Sequence, residues 1–291
     1  MQPRYEEKTF ESYFNTELDR RASIYFPFGQ VQEGGIGADA AGHSRNRWLW
    51  WRLGYRYLLR HPFGGASLRD IADEMEDHIG QEIRNIPRIN ANLLFQYKRP
   101  ELITSRLGLE WPHWNQKYFR YDIYQDQQAL LAHLDSKFGS QALVLYASPA
   151  LESIDDLVET KKRGRLIENT NFRKAADLSG HHRNTYIKAG THSIACSEPE
   201  SLEPFDLLAS LKQLEGNRDS VNSEVVVRFA KEVRLAATEN VFLRKAYLAA
   251  LEPLVEDRLE QYPLFFAMTA MSIFREISGA QWALATVEDD V

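Results

Sequence analysis

Apolar residues near the start of the chain recur at a helical period. Phe10, Phe14 and Leu18 fall at i, i+4 and i+8 with Tyr13 beside them, so residues 5–22 read as an amphipathic helix. The stretch 24–30 is β-prone until glycine breaks it. Residues 92–98 then read as a strand: Leu93, Phe95 and Tyr97 form an apolar face, while Asn92, Leu94, Gln96 and Lys98 share the other. Tyr118–Tyr124 alternates in the same way. Residues 126–138 carry Leu130, Leu131 and Leu134 at helical spacing, 142–147 form an unbroken buried strand, and a helix is expected near 153–162. From residue 203 the pattern is helical, in segments 205–214, 223–238, 241–260 and 263–285, the last apolar nearly all round at its start. The pattern predicts an α/β protein with a mixed central sheet over residues 1–200, a helical insertion at about 43–90, and a C-terminal helical subdomain over 201–291.

The insertion itself opens on tryptophans and tyrosines crowded with arginines: Trp48, Trp50, Trp51, Tyr55 and Tyr57 among Arg45, Arg47, Arg52, Arg56 and Arg60. Such a mixture stacks on bases and holds phosphates, or packs a helix with arginine stems lying over aromatic faces. Residues 67–85 follow as an exposed acidic helix begun by a Ser67 cap.

Composition narrows the function classes. The chain has 291 residues and a formal net charge of −6, so a protein gripping nucleic acid through overall basicity is not indicated, and a partner could bring the nucleic acid. No apolar run reaches the roughly 18 residues of a membrane span, and the N-terminus lacks a secretory core, so a cytoplasmic protein without membrane contact is expected. Cys196 is the single cysteine, which excludes an internal disulfide and thiolate zinc clusters, and a buried structural thiol is the default. His181 and His182 are adjacent and lack zinc-site spacing. Either of them, or Arg183, could hold a phosphate.

Candidate chemistry gathers elsewhere. Asp39 ends a glycine-rich run and is flanked by Ala38, Ala40 and Ala41, a setting in which a buried carboxylate needs a partner or a metal. Glu33 is a second acid near it. The run lacks the spacing of a nucleotide-binding loop. Gln96 and Lys98 point the same way from one strand. A carboxylate and an amide oxygen are hard ligands suited to Mg²⁺, and a neighbouring lysine can orient or activate water.

This order of parts resembles the PD-(D/E)XK nuclease superfamily, in the variant where glutamine replaces the acid before x-Lys. The resemblance covers roughly residues 5–162 and implies a restriction-endonuclease-like core. It implies catalytic roles for Asp39, Gln96, Lys98 and Glu11, the last from the first helix. Mg²⁺ (or Mn²⁺) would be held by Asp39, Gln96, Glu11 and Glu33, while Lys98 positions water or neutralises the scissile phosphate. The implied activity is a Mg²⁺-dependent endonuclease that hydrolyses phosphodiester bonds of DNA. Chains of this kind serve restriction or anti-phage defence, often with an ATPase or helicase partner, and a homo-oligomer is compatible. The rival expectation is a non-catalytic scaffold that binds nucleic acid or a partner through the Trp/Arg insertion and the C-terminal helices. A third is another metal-dependent hydrolase on an α/β core.

Overall fold

A computed structural model describes residues 3, 5–22, 24–26, 68–189, 193–196, 199–214 and 220–286. Asp39, Glu33 and the Trp/Arg stretch lie outside the described residues. In chain order the elements are α1 (Glu7–Arg21), β1 (Ile24–Tyr25), α2 (Leu68–Asn85), β2 (Ile89–Tyr97), β3 (Glu101–Ile103), α3 (Trp111–Trp114) and β4 (Tyr118–Asp122). They continue with α4 (Gln125–Phe138), β5 (Ala142–Pro149), α5 (Ile154–Lys162), β6 (Thr170–Lys174), β7 (Arg183–Tyr186), β8 (Ser193–Ala195) and β9 (Glu200–Leu202). The last are α6 (Leu207–Lys212), α7 (Asn222–Glu239), α8 (Arg244–Glu256), α9 (Pro263–Ser278) and β10 (Ala280–Thr286).

The chain divides into two compact units. The first takes residues 1–25, 89–218 and 278–291; the second takes 26–88 and 219–277. The first unit is mixed α/β. Its five-stranded sheet has the order β1-β10-β2-β5-β6, with β2 and β5 parallel and every other pair antiparallel. Parallel neighbours cannot be joined by a tight turn, and the chain passes through α4 between them. A second sheet, β3-β4-β7-β8-β9, is antiparallel throughout. It draws three strands from the polar region 164–200, where the pattern predicts only a short strand near Ser193.

The stripe on α1 buries as its spacing predicts. Phe14 lies 5.7 Å from Phe95 and 5.8 Å from Tyr97 between ring centroids, and 5.7 Å from Phe172 on β6. The apolar face of β2 therefore meets α1, and its other face meets α4. One polar group is part of this core. Glu17, buried on α1, accepts from the backbone N–H groups of Leu166 at 2.8 Å and Ile167 at 3.0 Å, fixing the chain as it enters β6. Removing that carboxylate strands two buried donors. Glu17→Ala is expected to destabilise by about 3 kcal/mol, read as a lowered urea midpoint. A loss under about 0.5 kcal/mol would show that water replaces it.

The second unit is helical. α2 packs one face inward through Ala72, Met75, Ile79 and Ile83, which corrects the expectation of an exposed helix there. Asn222 donates to the Ile83 and Ile86 carbonyls at the C-terminal end of α2, and Glu76 accepts from the Phe265 N–H in the first turn of α9. Tyr247 on α8 donates to the Ala270 carbonyl.

The end of the chain departs from the sequence pattern. The expected helix over 263–285 stops at Ser278; Gly279 turns with φ of +76°, and Ala280–Thr286 is a strand. Ala, Gln and Leu dominate this segment and favour helix. Pairing on both sides within the sheet, to β1 and to β2, overrides that preference. No helix among the described residues is long and apolar enough to cross a membrane.

Candidate active site

The site forms where β2 runs out. Gln96 and Lys98 leave the same face of the strand and meet the first turn of α4. Lys98 Nζ donates to Gln127 Oε1 at 3.0 Å, and Gln127 Nε2 donates to Gln96 Oε1 at 2.8 Å and to the Ser278 carbonyl at 2.6 Å. The Lys98 N–H donates to the Ala147 carbonyl of β5, and Ser148 Oγ donates to the Lys98 carbonyl, so the backbone here is pinned from the parallel neighbour. The ammonium also stands 4.9 Å from the Tyr124 ring centroid and 5.7 Å from that of Tyr146. Tyr146 is fully buried and Tyr124 is 69% exposed, so one wall of the lysine's surroundings reaches the surface.

Lys98 itself is 8% exposed, and burial pulls its ammonium down from 10.5 to about 8, against the opposing charges of Glu7 and Asp122. It is still mostly protonated at pH 7. Glu7 sits where β2 exits and accepts from the Arg99 N–H at 3.0 Å. Burial holds its carboxyl above the usual carboxylate range, opposed by the Arg99 N–H and by the charge of Lys98. Asp122, at the end of β4, accepts from Arg183 Nε at 2.8 Å, and Arg183 also reaches the buried Glu110 at 2.9 Å.

The structure thus brings Gln96 and Lys98 together. Glu11 is buried on α1, 3.1 Å from Lys8, on the helix that covers the opposite face of β2. Glu7, one turn earlier on α1, is a carboxylate whose charge reaches Lys98. Its spacing of four from Glu11, which puts both on one side of the helix, was the available signal. Gln127 had none, because its role depends on where α4 docks. Asp39 and Glu33 lie outside the described residues. Both sides of β2 are taken, by β10 and β5.

Among the described residues no group of three or more His, Cys, Asp or Glu side chains gathers to hold a metal ion. The residues described here do not by themselves make a divalent-cation site. They make a buried cation beside a carboxamide and near a carboxylate, an arrangement able to receive an anion and order a water. The other sequence candidates lead elsewhere. His181 stands 3.5 Å from Glu200 with its neighbour His182 exposed. Cys196 is buried, donates to the Ile194 carbonyl at 3.3 Å, and burial pushes its thiol up, which suits a structural cysteine. No protein-family model, curated protein or solved structure matches this chain.

Proposed function

We propose that the protein is a nuclease that hydrolyses phosphodiester bonds of DNA, with its reacting site at the end of β2. The observation that carries the reading is the linking of Gln96 to a buried, protonated Lys98 through Gln127 at the end of the central strand, where one wall opens to solvent through Tyr124. A lysine held there neutralises the charge that grows on a phosphate under attack, and the Gln96 oxygen orients water. The assignment of the first unit to the restriction-endonuclease-like fold belongs to this proposal. A first helix against the sheet, a mixed sheet, and a helix joining the parallel strands β2 and β5 support it.

Mg²⁺ or Mn²⁺ is part of the same proposal, and its carboxylates would come from Asp39 and Glu33, with Glu11 or Glu7 from α1. A role in restriction or anti-phage defence, an ATPase or helicase partner, self-association and a cytoplasmic site are likewise proposed, from the resemblance alone. The second reading, a non-catalytic scaffold, is favoured by exposed apolar residues such as Val241 and Phe242 between α7 and α8, and Leu107 and Leu109 on the loop before α3.

Plasmid and single-stranded DNA incubated with the full chain and Mg²⁺ or Mn²⁺ test the proposal. Cutting stopped by EDTA and reduced by about 100-fold or more in Lys98→Ala and in Asp39→Ala is expected. Cutting that survives Lys98→Ala rejects this site. Intact DNA under every condition moves the assignment to the scaffold.

A further inference from the structure

The geometry points to Gln127 as a positioning residue that decides which end of the Gln96 carboxamide is presented to it and which is turned away. A lysine ammonium has hydrogens to give and no lone pair, so the Gln127 atom 3.0 Å from Lys98 Nζ must be the oxygen. A backbone carbonyl only accepts, so the Gln127 atom 2.6 Å from the Ser278 oxygen must be the nitrogen. These two demands, from opposite ends, agree. They leave the Gln127 nitrogen facing Gln96 at 2.8 Å, and a donor there requires that Gln96 present its oxygen. Gln96 Nε2 is turned away accordingly, toward the Tyr97 carbonyl at 3.3 Å. Three side chains are ordered in one direction by a group that can only donate and a group that can only accept.

The consequence rests on the nuclease reading. The Gln96 oxygen spends one lone pair on Gln127 and keeps the other, and that lone pair accepts a hydrogen from the attacking water. A nitrogen in its place would offer a hydrogen instead and leave the water unaimed. Gln127 touches neither water nor phosphate in this scheme and acts only through Gln96.

Side-chain amide resonances read the orientation directly, whether or not the protein cuts DNA. In the native chain the Gln127 Nε2 hydrogens should show a scalar coupling across the hydrogen bond to the Gln96 carboxamide carbon, with no coupling in the reverse direction. Gln127→Glu replaces the donor by a second acceptor, so Gln96 must invert, and its own Nε2 hydrogens are expected to couple to the carboxylate carbon of the introduced glutamate. Gln127→Leu removes both demands and serves the cutting assay if the charged variant fails to fold. Coupling from Gln96 to Gln127 in the native chain, or none from Gln96 in a folded Gln127→Glu, overturns the inference. Cutting is read in parallel, with kcat for Gln127→Leu expected to fall about 100-fold while KM for DNA holds. The native orientation with inversion in Gln127→Glu, in a protein that cuts nothing, upholds the positioning role and rejects the nuclease reading. Cutting that needs Lys98 but tolerates Gln127→Leu within about twofold rejects the positioning role and spares the nuclease reading.

Discussion

Lys98→Met should make the protein more stable at pH 7 and, if the proposed nuclease activity holds, abolish cutting. The lysine is held with 8% of its surface exposed, and burial pulls its ammonium from 10.5 down to about 8, so the folded state disfavours the charge. That drop corresponds to about 3 kcal/mol. Methionine keeps the apolar stem and removes the ammonium, but it leaves the Gln127 oxygen without its donor, at a cost of about 1 kcal/mol. The net gain is about 2 kcal/mol. Its pH dependence has a definite sign. Below about pH 8 the lysine is charged both folded and unfolded, so the full penalty is present. Between about 8 and 10.5 the unfolded chain binds more protons than the folded one, and the native protein recovers stability as pH rises. The advantage of Lys98→Met should therefore be largest at pH 7 and fade by pH 10. Urea midpoints at the two pH values measure it, and a variant less stable than the native chain at pH 7 would show that the ammonium is better paired than its burial implies. A side chain that costs stability and is kept where solvent reaches it is what a working site requires.

Ending the chain at Gly279 should unfold the first unit. The residues removed include β10, which lies between β1 and β2 and pairs along seven residues with β2. Ala280, Trp282, Ala283, Leu284 and Ala285 are all buried, and Trp282 Nε1 donates to Asn92 Oδ1 at 3.0 Å. Trp282→Ala alone is expected to cost about 3–5 kcal/mol, a large part of the roughly 5–15 kcal/mol that keeps a domain folded. Loss of the whole strand also leaves the backbone groups of β2 on that side without partners. Near-UV circular dichroism and urea melts of chains ending at Gly279 and at Thr286 make the comparison. A shorter chain that retains a cooperative transition within about 1 kcal/mol of the longer one would refute a structural role for β10.

Much of the frame is legible in the sequence. Phe10, Phe14 and Leu18 announce α1 by their spacing, and they bury where a period of 3.6 puts them. The alternation from Asn92 to Lys98 separates the faces of β2, so Gln96 and Lys98 necessarily emerge together. The apolar run at 142–147 and the leucines of α4 place the parallel neighbour and its crossover. These are local properties: the period of the backbone and the polarity of each side chain settle them without reference to distant residues.

What the tertiary structure alone decided is of another kind. Ala280–Thr286 has the composition of a helix and becomes a strand because two partners offer it backbone hydrogen bonds on both sides. The polar region 164–200 yields strands of a second sheet through pairing with β4, which no periodicity marks. Glu7 bears on Lys98 because the start of α1 reaches the exit of β2. Gln127 joins Lys98 to Gln96 across a separation of about thirty residues in sequence only because α4 docks with its first turn there. The sequence by itself determined which residues share a face; their partners depend on how far-apart segments close on one another, and that is set by the summed packing of the whole unit.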